Sequence, residues 1–178
     1  MKQIMVDLET LGTTADSAIV SVGAVRFDLE TGEMHDDFHQ VISLDSNLSA
    51  GRYISPDTLS WWMQQEPEAR AIFSAPSEPL HDVLENFARW VHSPDSIMWS
   101  NGADFDLPML AHAYTHAGIP LPWKYWNSRC FRTYKNLPGA KQIKLPKQGV
   151  KQNALADAYN QAQTLCTIHR ALFVKGSS

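Results

Sequence analysis

The chain has 178 residues, 44% hydrophobic and 19% charged, with a net charge of −4. That length and balance suit one ordinary domain that buries its own core, and they exclude a disordered chain or a mini-protein held by disulfides or metal. Two cysteines, Cys130 and Cys166, fit neither a disulfide framework nor a zinc ribbon, and the start Met-Lys-Gln-Ile-Met has no signal-peptide core, so a reduced cytoplasmic protein without membrane contact is expected.

Residues 4–9 alternate around a short apolar strand. Residues 18–27, rich in Val and Ala, form a second predicted strand, and 34–42 a third; the Leu-Glu-Thr-Gly stretch at 29–32 turns the last two into a hairpin. Ser55-Pro56 opens a helix by the N-cap and first-turn rules, running to about Gln65. Residues 80–91 have helical periodicity, 97–100 a buried strand, and 105–117 a helix closed by Gly118 and Pro120. Residues 120–149 read as loop-rich. A last helix spans 154–173 with Asn153 as its N-cap. The order predicts an α/β fold, a mixed central sheet flanked by helices, as a single domain over 1–174 with a fraying tail at 175–178.

Charge is segregated. Eight of the fifteen basic residues fall between 121 and 151 (Lys124, Arg129, Arg132, Lys135, Lys141, Lys144, Lys147, Lys151), while no Asp or Glu occurs from 107 to 156. A basic stretch in an acidic chain is a candidate phosphate surface, although a solvated lysine-rich loop has the same composition. Trp123, Tyr125 and Trp126 interleave with these bases, a mixture that suits single strands with exposed bases.

Three acidic elements, four residues in all, stand out. Asp7 and Glu9 are two apart on the first strand, so both point from one face. Two neighbouring carboxylates repel unless a cation sits between them; a surface edge strand would read the same way. Asp106 falls at the start of a helix, beside Asp104, where an acid also complements the helix dipole. Asp157 lies about one turn inside the last helix among small apolar neighbours.

With their contexts these acids resemble the DEDD (DnaQ-like) 3′–5′ exonuclease superfamily. Asp7-Leu8-Glu9-Thr10-Leu11-Gly12 is similar to its D-x-E-T-x-G, residues 101–110 to N-G-A-x-F-D-x-x-x-L, and residues 153–158 to the N-A-L-x-D-A of its third motif. The resemblance covers about residues 4–172 and is closest to the branch holding phage exodeoxyribonucleases and mycobacterial exoribonucleases. It implies a ribonuclease H-like fold and two divalent cations, Mg²⁺ or Mn²⁺, held by Asp7, Glu9, Asp106 and Asp157. It also implies stepwise release of nucleoside 5′-monophosphates from the 3′ end of single-stranded DNA or RNA, with DNA mildly favoured. Some members pair, so a homodimer is compatible with it. By the same resemblance Asp7 bridges both cations, Glu9 and Asp157 hold the one that activates water, and Asp106 holds the other. Such hard oxygen donors suit these ions, and two cations about 3.5–4 Å apart neutralise both the attacking and the leaving oxygen.

The pattern breaks at one place. Histidine-type members carry His five residues before the last Asp; here that residue is Gln152. Glutamine does not titrate, but it can orient a water, and losing a general base typically costs about 10²–10⁴-fold. A slowed nuclease and a 3′-end binding protein with weakened catalysis both follow from this substitution. Candidate substrate contacts are Thr10, Leu11 and Gly12 at the turn after the acids, Trp62 or its neighbour Trp61 as a stacking surface, Asn101 and Phe105 in the second motif, and Arg129 and Arg132 as phosphate clamps. Core packing, turn capping and salt bridges are the ordinary alternatives for these positions.

Overall fold

The computed structural model describes residues 3–146, 148–149 and 152–174; Lys147 and Lys151 of the basic stretch and the predicted tail 175–178 lie outside them. Strands β1 (Gln3–Thr10), β2 (Ile19–Phe27) and β3 (Met34–Val41) run antiparallel in sequence, as the hairpin signal predicts. β4 (Ile97–Ser100) and β5 (Ser128–Cys130) add in parallel on the other side, giving the order β3-β2-β1-β4-β5. β1 is therefore the middle strand of a mixed sheet. The surface-edge alternative for Asp7 and Glu9 does not hold.

Strand alternation divides β1 between two layers. The helices in chain order are α1 (Leu44–Ser49), α2 (Pro56–Met63), α3 (Pro67–Arg70), α4 (Leu80–Val91), α5 (Asp106–Ala117), α6 (Phe131–Lys135) and α7 (Ala154–Phe173). Ile4, Val6 and Leu8 pack on one face with Val22, Ala24 and Met98, against α4 and α5. Met5 faces the opposite side, where Val25, Phe27 and Trp99 meet Ala158, Ala162, Leu165 and Ile168 of helix α7 (Ala154–Phe173). Two helices start at the capping residues their sequence signals. The Asn153 side chain accepts the Ala156 N–H at 2.9 Å, and Ser55 does the same for Thr58 at the head of a helix over Pro56–Met63. Gly118, at φ 70°, ends α5 in the left-handed conformation a side chain resists.

Residues 120–149 are less irregular than their sequence suggests. They hold β5 and a five-residue helix, Phe131–Lys135, which packs Phe131 beneath the sheet. Ser-Arg-Cys has no apolar alternation, and β5 exists because β4 offers a free edge to pair with. Two further short helices, Leu44–Ser49 and Pro67–Arg70, were also too brief to leave a period in the sequence. Among the described residues no helix is long and apolar enough to cross a membrane.

Candidate active site

The sheet brings the predicted acids together at the end of β1. One carboxylate oxygen from each of Asp7, Glu9 and Asp157 lies within 4.8 Å of the others. Asp106, the first residue of α5, is 2% exposed, and its Oδ1 accepts the backbone N–H of Leu8 at 3.2 Å, between the two β1 acids. A bulge between Glu9 and Thr10 ends the regular pairing with β2 at this point. The helix arm of the cluster depends on a glycine. Gly23 pairs with Asp7 across the sheet, and a Cβ there would lie 2.2 Å from the backbone of Ala154 and Leu155. Its lack of a side chain lets the N-terminus of α7 rest on the sheet, so that Asp157, one turn in, reaches the β1 acids.

Burial raises Asp7, Glu9 and Asp106, and like charge adds to it for Asp7 and Glu9. Asp7 is pushed well above the ordinary carboxylate range by burial and by repulsion from Asp106 and Glu9, opposed by a hydrogen bond from Gln161. Burial, then Asp157 and Asp106, pushes Glu9 up to about 8; burial pushes Asp106 up to about 6, against the Leu8 N–H. All four are hard oxygen donors, and their mutual repulsion is relieved by positive charge. The donor set thus fits a divalent cation.

This has a measurable consequence. Between its ordinary value of 4.5 and about 8, folded Glu9 holds a proton that the unfolded chain has released. The folded state binds more protons, so stability falls as pH rises through that window. His39, held below 6.5 by burial, works in the opposite sense at lower pH, so the range from about 7 to 8.5 reports the raised carboxylates Glu9 and Asp7 together. In EDTA the melting temperature is expected to drop across that range, and Mn²⁺ to raise it most at the alkaline end, where cation no longer competes with proton. A flat profile in EDTA would contradict the raised Glu9.

Gln161 was not found in the sequence. It sits one turn beyond Asp157 on α7, and its Nε2 donates to Asp7 Oδ1 at 2.7 Å. Its i+4 spacing from Asp157 was the available signal. Gln152 stands just before the α7 cap with φ 53°, a left-handed conformation unusual for a residue other than glycine.

The predicted substrate contacts separate into three groups. Thr10, Gly12 and Phe105 line, with Glu9 and Trp61, a cavity of about 430 Å³. Asn101 lines a second cavity of about 560 Å³ with Asp157, Gln161 and Lys135; its Oδ1 accepts from Lys135 at 3.2 Å, and Arg132 donates to its carbonyl at 2.8 Å. Arg129 lies further out, donating to the carbonyls of Trp126 and Ser128. Two expectations are corrected. Trp62 is 1% exposed and spends its indole N–H on the Thr10 carbonyl, so the open ring is that of Trp61, 45% exposed. Leu11 is buried, its N–H bonded to Ala18 and its carbonyl to Ser55, which leaves no free group for a nucleotide. Trp123 is also buried, unlike Tyr125 and Trp126.

The mixed sheet with helices on both faces, and four acids at the end of its middle strand, define a ribonuclease H-like, DnaQ-like 3′–5′ exonuclease. The chain belongs to the family described as the 3′-5′ exoribonuclease Rv2179c-like domain, whose model matches residues 2–169. It is 27% identical to an exodeoxyribonuclease of Enterobacteria phage T4, over 75% of this chain and 70% of that protein. Three solved structures share the fold, each over 96% of this chain. They are S. pombe Pop2p in its Mg²⁺- and Mn²⁺-bound form (TM-score 0.68, 15% identity, 84% of that chain), the nuclease domain of 3′hExo, a DEDDh family member, bound to rAMP (0.65, 11%, 92%), and cell-death related nuclease 4 (0.66, 12%). This chain spans 64% of the last.

Proposed function

We propose that residues 1–174 form one exonuclease domain that removes nucleoside 5′-monophosphates from the 3′ end of single-stranded nucleic acid, using two divalent cations, Mg²⁺ or Mn²⁺. The observation that carries this is the packing of Asp7, Glu9 and Asp157 within 4.8 Å, with Asp106 latched to Leu8 beside them. The Mg²⁺- and Mn²⁺-bound form of Pop2p supports the choice of cation, and rAMP bound to 3′hExo supports a mononucleotide product. Bound cations supply the charge that neutralises the attacking and leaving oxygens of the phosphodiester. Asp7 would serve both cations, Glu9 and Asp157 would hold the one on the water side, and Asp106 would hold the other. Gln161 fixes the Asp7 carboxylate through its amide N–H.

The terminal nucleotide enters the cavity between Gly12, Phe105 and Trp61, where the two aromatic side chains offer stacking faces. Gly12 packs directly on Ser17, where an added Cβ would meet Ser17 Oγ at 2.3 Å, so no larger residue fits at this edge of the cavity without moving Ser17. Asn101 and Arg132 approach the phosphate from the α5 side. DNA is the preferred strand, a reading supported by the phage relative's being an exodeoxyribonuclease, although the family description names an exoribonuclease. Gln152 orients the attacking water without taking its proton. The position tolerates histidine, a residue enriched among non-glycine left-handed conformers.

A time course on 3′-intact, 5′-labelled single-stranded DNA and RNA tests this, with Mg²⁺, Mn²⁺ or EDTA and with Gln152→His alongside. The expected result is a ladder shortening from the 3′ end only with cation. Gln152→His should raise turnover by at least about 10²-fold and add a limb near pH 6–7 to the rate profile. Binding without any cation-dependent release in either form would replace the enzyme reading with that of a 3′-end binding protein. An unchanged rate and profile would remove position 152 from the chemistry.

A further inference from the structure

The carboxylates lie between two unlike hollows. On one side is the 430 Å³ cavity of Gly12, Trp61 and Phe105, whose charged lining residues are both acidic, Glu9 and Asp57. On the other is the 560 Å³ cavity that Asp157 shares with Lys135, Lys141 and Lys144. That cavity continues. It shares Asn136 with a hollow lined by Arg132, which in turn shares Gly102, Ala103 and Cys130 with a third, lined by Arg129 and Tyr125. These shared lining residues set the three hollows side by side along α5, β5 and the helix after it, a groove lined with cations at five positions and with Asp104 as the one acid beyond Asp157 among the lining residues.

The far end of this groove carries two rings that no core claims. Tyr125 is 77% and Trp126 59% exposed, and they stand edge to face at 4.8 Å. The loop beneath them is held in place. Trp123 is buried and donates to Ser128 Oγ, and Arg129 ties the Trp126 carbonyl at 2.7 Å. Exposed aromatics on a fixed loop at the end of a basic groove are a stacking surface for unpaired bases.

We propose that the strand on the 5′ side of the scissile bond leaves the site along this groove, over Asn101, Arg132 and Arg129, and that Tyr125 and Trp126 form a platform on which an upstream base stacks. The inference rests on the proposed exonuclease reading and deepens it. The acidic hollow takes one nucleotide and the basic groove takes the rest of the chain. Phosphates follow the side lined with cations, because the opposite side offers only carboxylates.

The test compares wild type, Trp126→Ala, Trp126→Phe and a Tyr125→Ala/Trp126→Ala double variant on a dinucleotide and on a single strand of about 12 nucleotides. KM is measured with Mg²⁺. Affinity for the longer strand is measured by fluorescence anisotropy with Ca²⁺ in place of Mg²⁺. The double variant should lower the preference for the longer strand, read as the ratio of KM values, by about tenfold and weaken binding of the longer strand by a similar factor, with Trp126→Phe largely restoring both. Full preference and full affinity in the double variant would overturn the platform. A wild type that binds the longer strand through Trp126 but cleaves nothing would leave the groove standing and overturn the assignment of the carboxylates. Cleavage that ignores Trp126 at every length would do the reverse.

Discussion

Asp7→Asn is expected to abolish nucleotide release and, in the same protein, to raise stability in EDTA. Both effects come from one carboxylate. Asp7 is the acid whose charge is opposed by burial, Asp106, Glu9 and Asp157 together. Asn has nearly the same shape and accepts the Gln161 N–H through its amide oxygen. It removes one buried negative charge and leaves the packing intact, so the metal-free protein should melt several degrees higher at pH 8. That advantage should shrink toward pH 5, where the wild-type cluster is more protonated. The activity loss is expected to be at least about 10³-fold, the scale of losing an electrostatic stabiliser from a water-poor site. Thermal melts with and without Mn²⁺ check the stability arm: the wild type should gain from the cation and the variant gain much less. A variant that melts lower than wild type in EDTA would show that the cluster is not under mutual repulsion.

Much of this site was legible because its signals are local. The i, i+2 spacing of Asp7 and Glu9 on a strand, the Asn153 cap and the first-turn position of Asp106 each state their own geometry. The boundaries of 80–91, 97–100 and 154–173 were legible for the same reason, since capping and periodicity act over a few residues. What was not legible depends on contacts far apart in sequence. Which of Trp61 and Trp62 is buried follows from the Thr10 carbonyl, 52 residues from Trp62. Gln161 is meaningful only because α7 crosses β1, 154 residues away. β5 has no pattern of its own and borrows its structure from β4. The basic stretch reads in sequence equally as a phosphate surface or a solvated loop, and its placing of Lys135 against Asn101, in one cavity with Asp157, comes only from the fold.

Gly23→Ala is expected to cost more than any other single methyl group near the site. β2 is an ordinary strand and Gly23 has no unusual torsion to protect; what it protects is space. The added Cβ would meet the Ala154 carbonyl carbon and the Leu155 nitrogen at 2.2 Å, and its neighbours are helix backbone that cannot rotate away as a side chain can. Either α7 lifts from the sheet or β2 bends. Overpacking of a core typically costs about 1–3 kcal/mol, and against backbone the upper end applies. For a chain of this size that is a fall in melting temperature of roughly 5–10 °C. The second effect is on chemistry. Asp157 rides on the first turn of α7, so any lift separates it from Asp7 and Glu9, and a displacement of about 1 Å at a reacting centre can cost 10²-fold. Turnover measured well below the melting point should therefore fall by about that factor, together with a higher Mn²⁺ requirement. Wild-type turnover at the wild-type Mn²⁺ optimum in a folded Gly23→Ala protein would show that the approach of α7 to β2 does not set the position of Asp157.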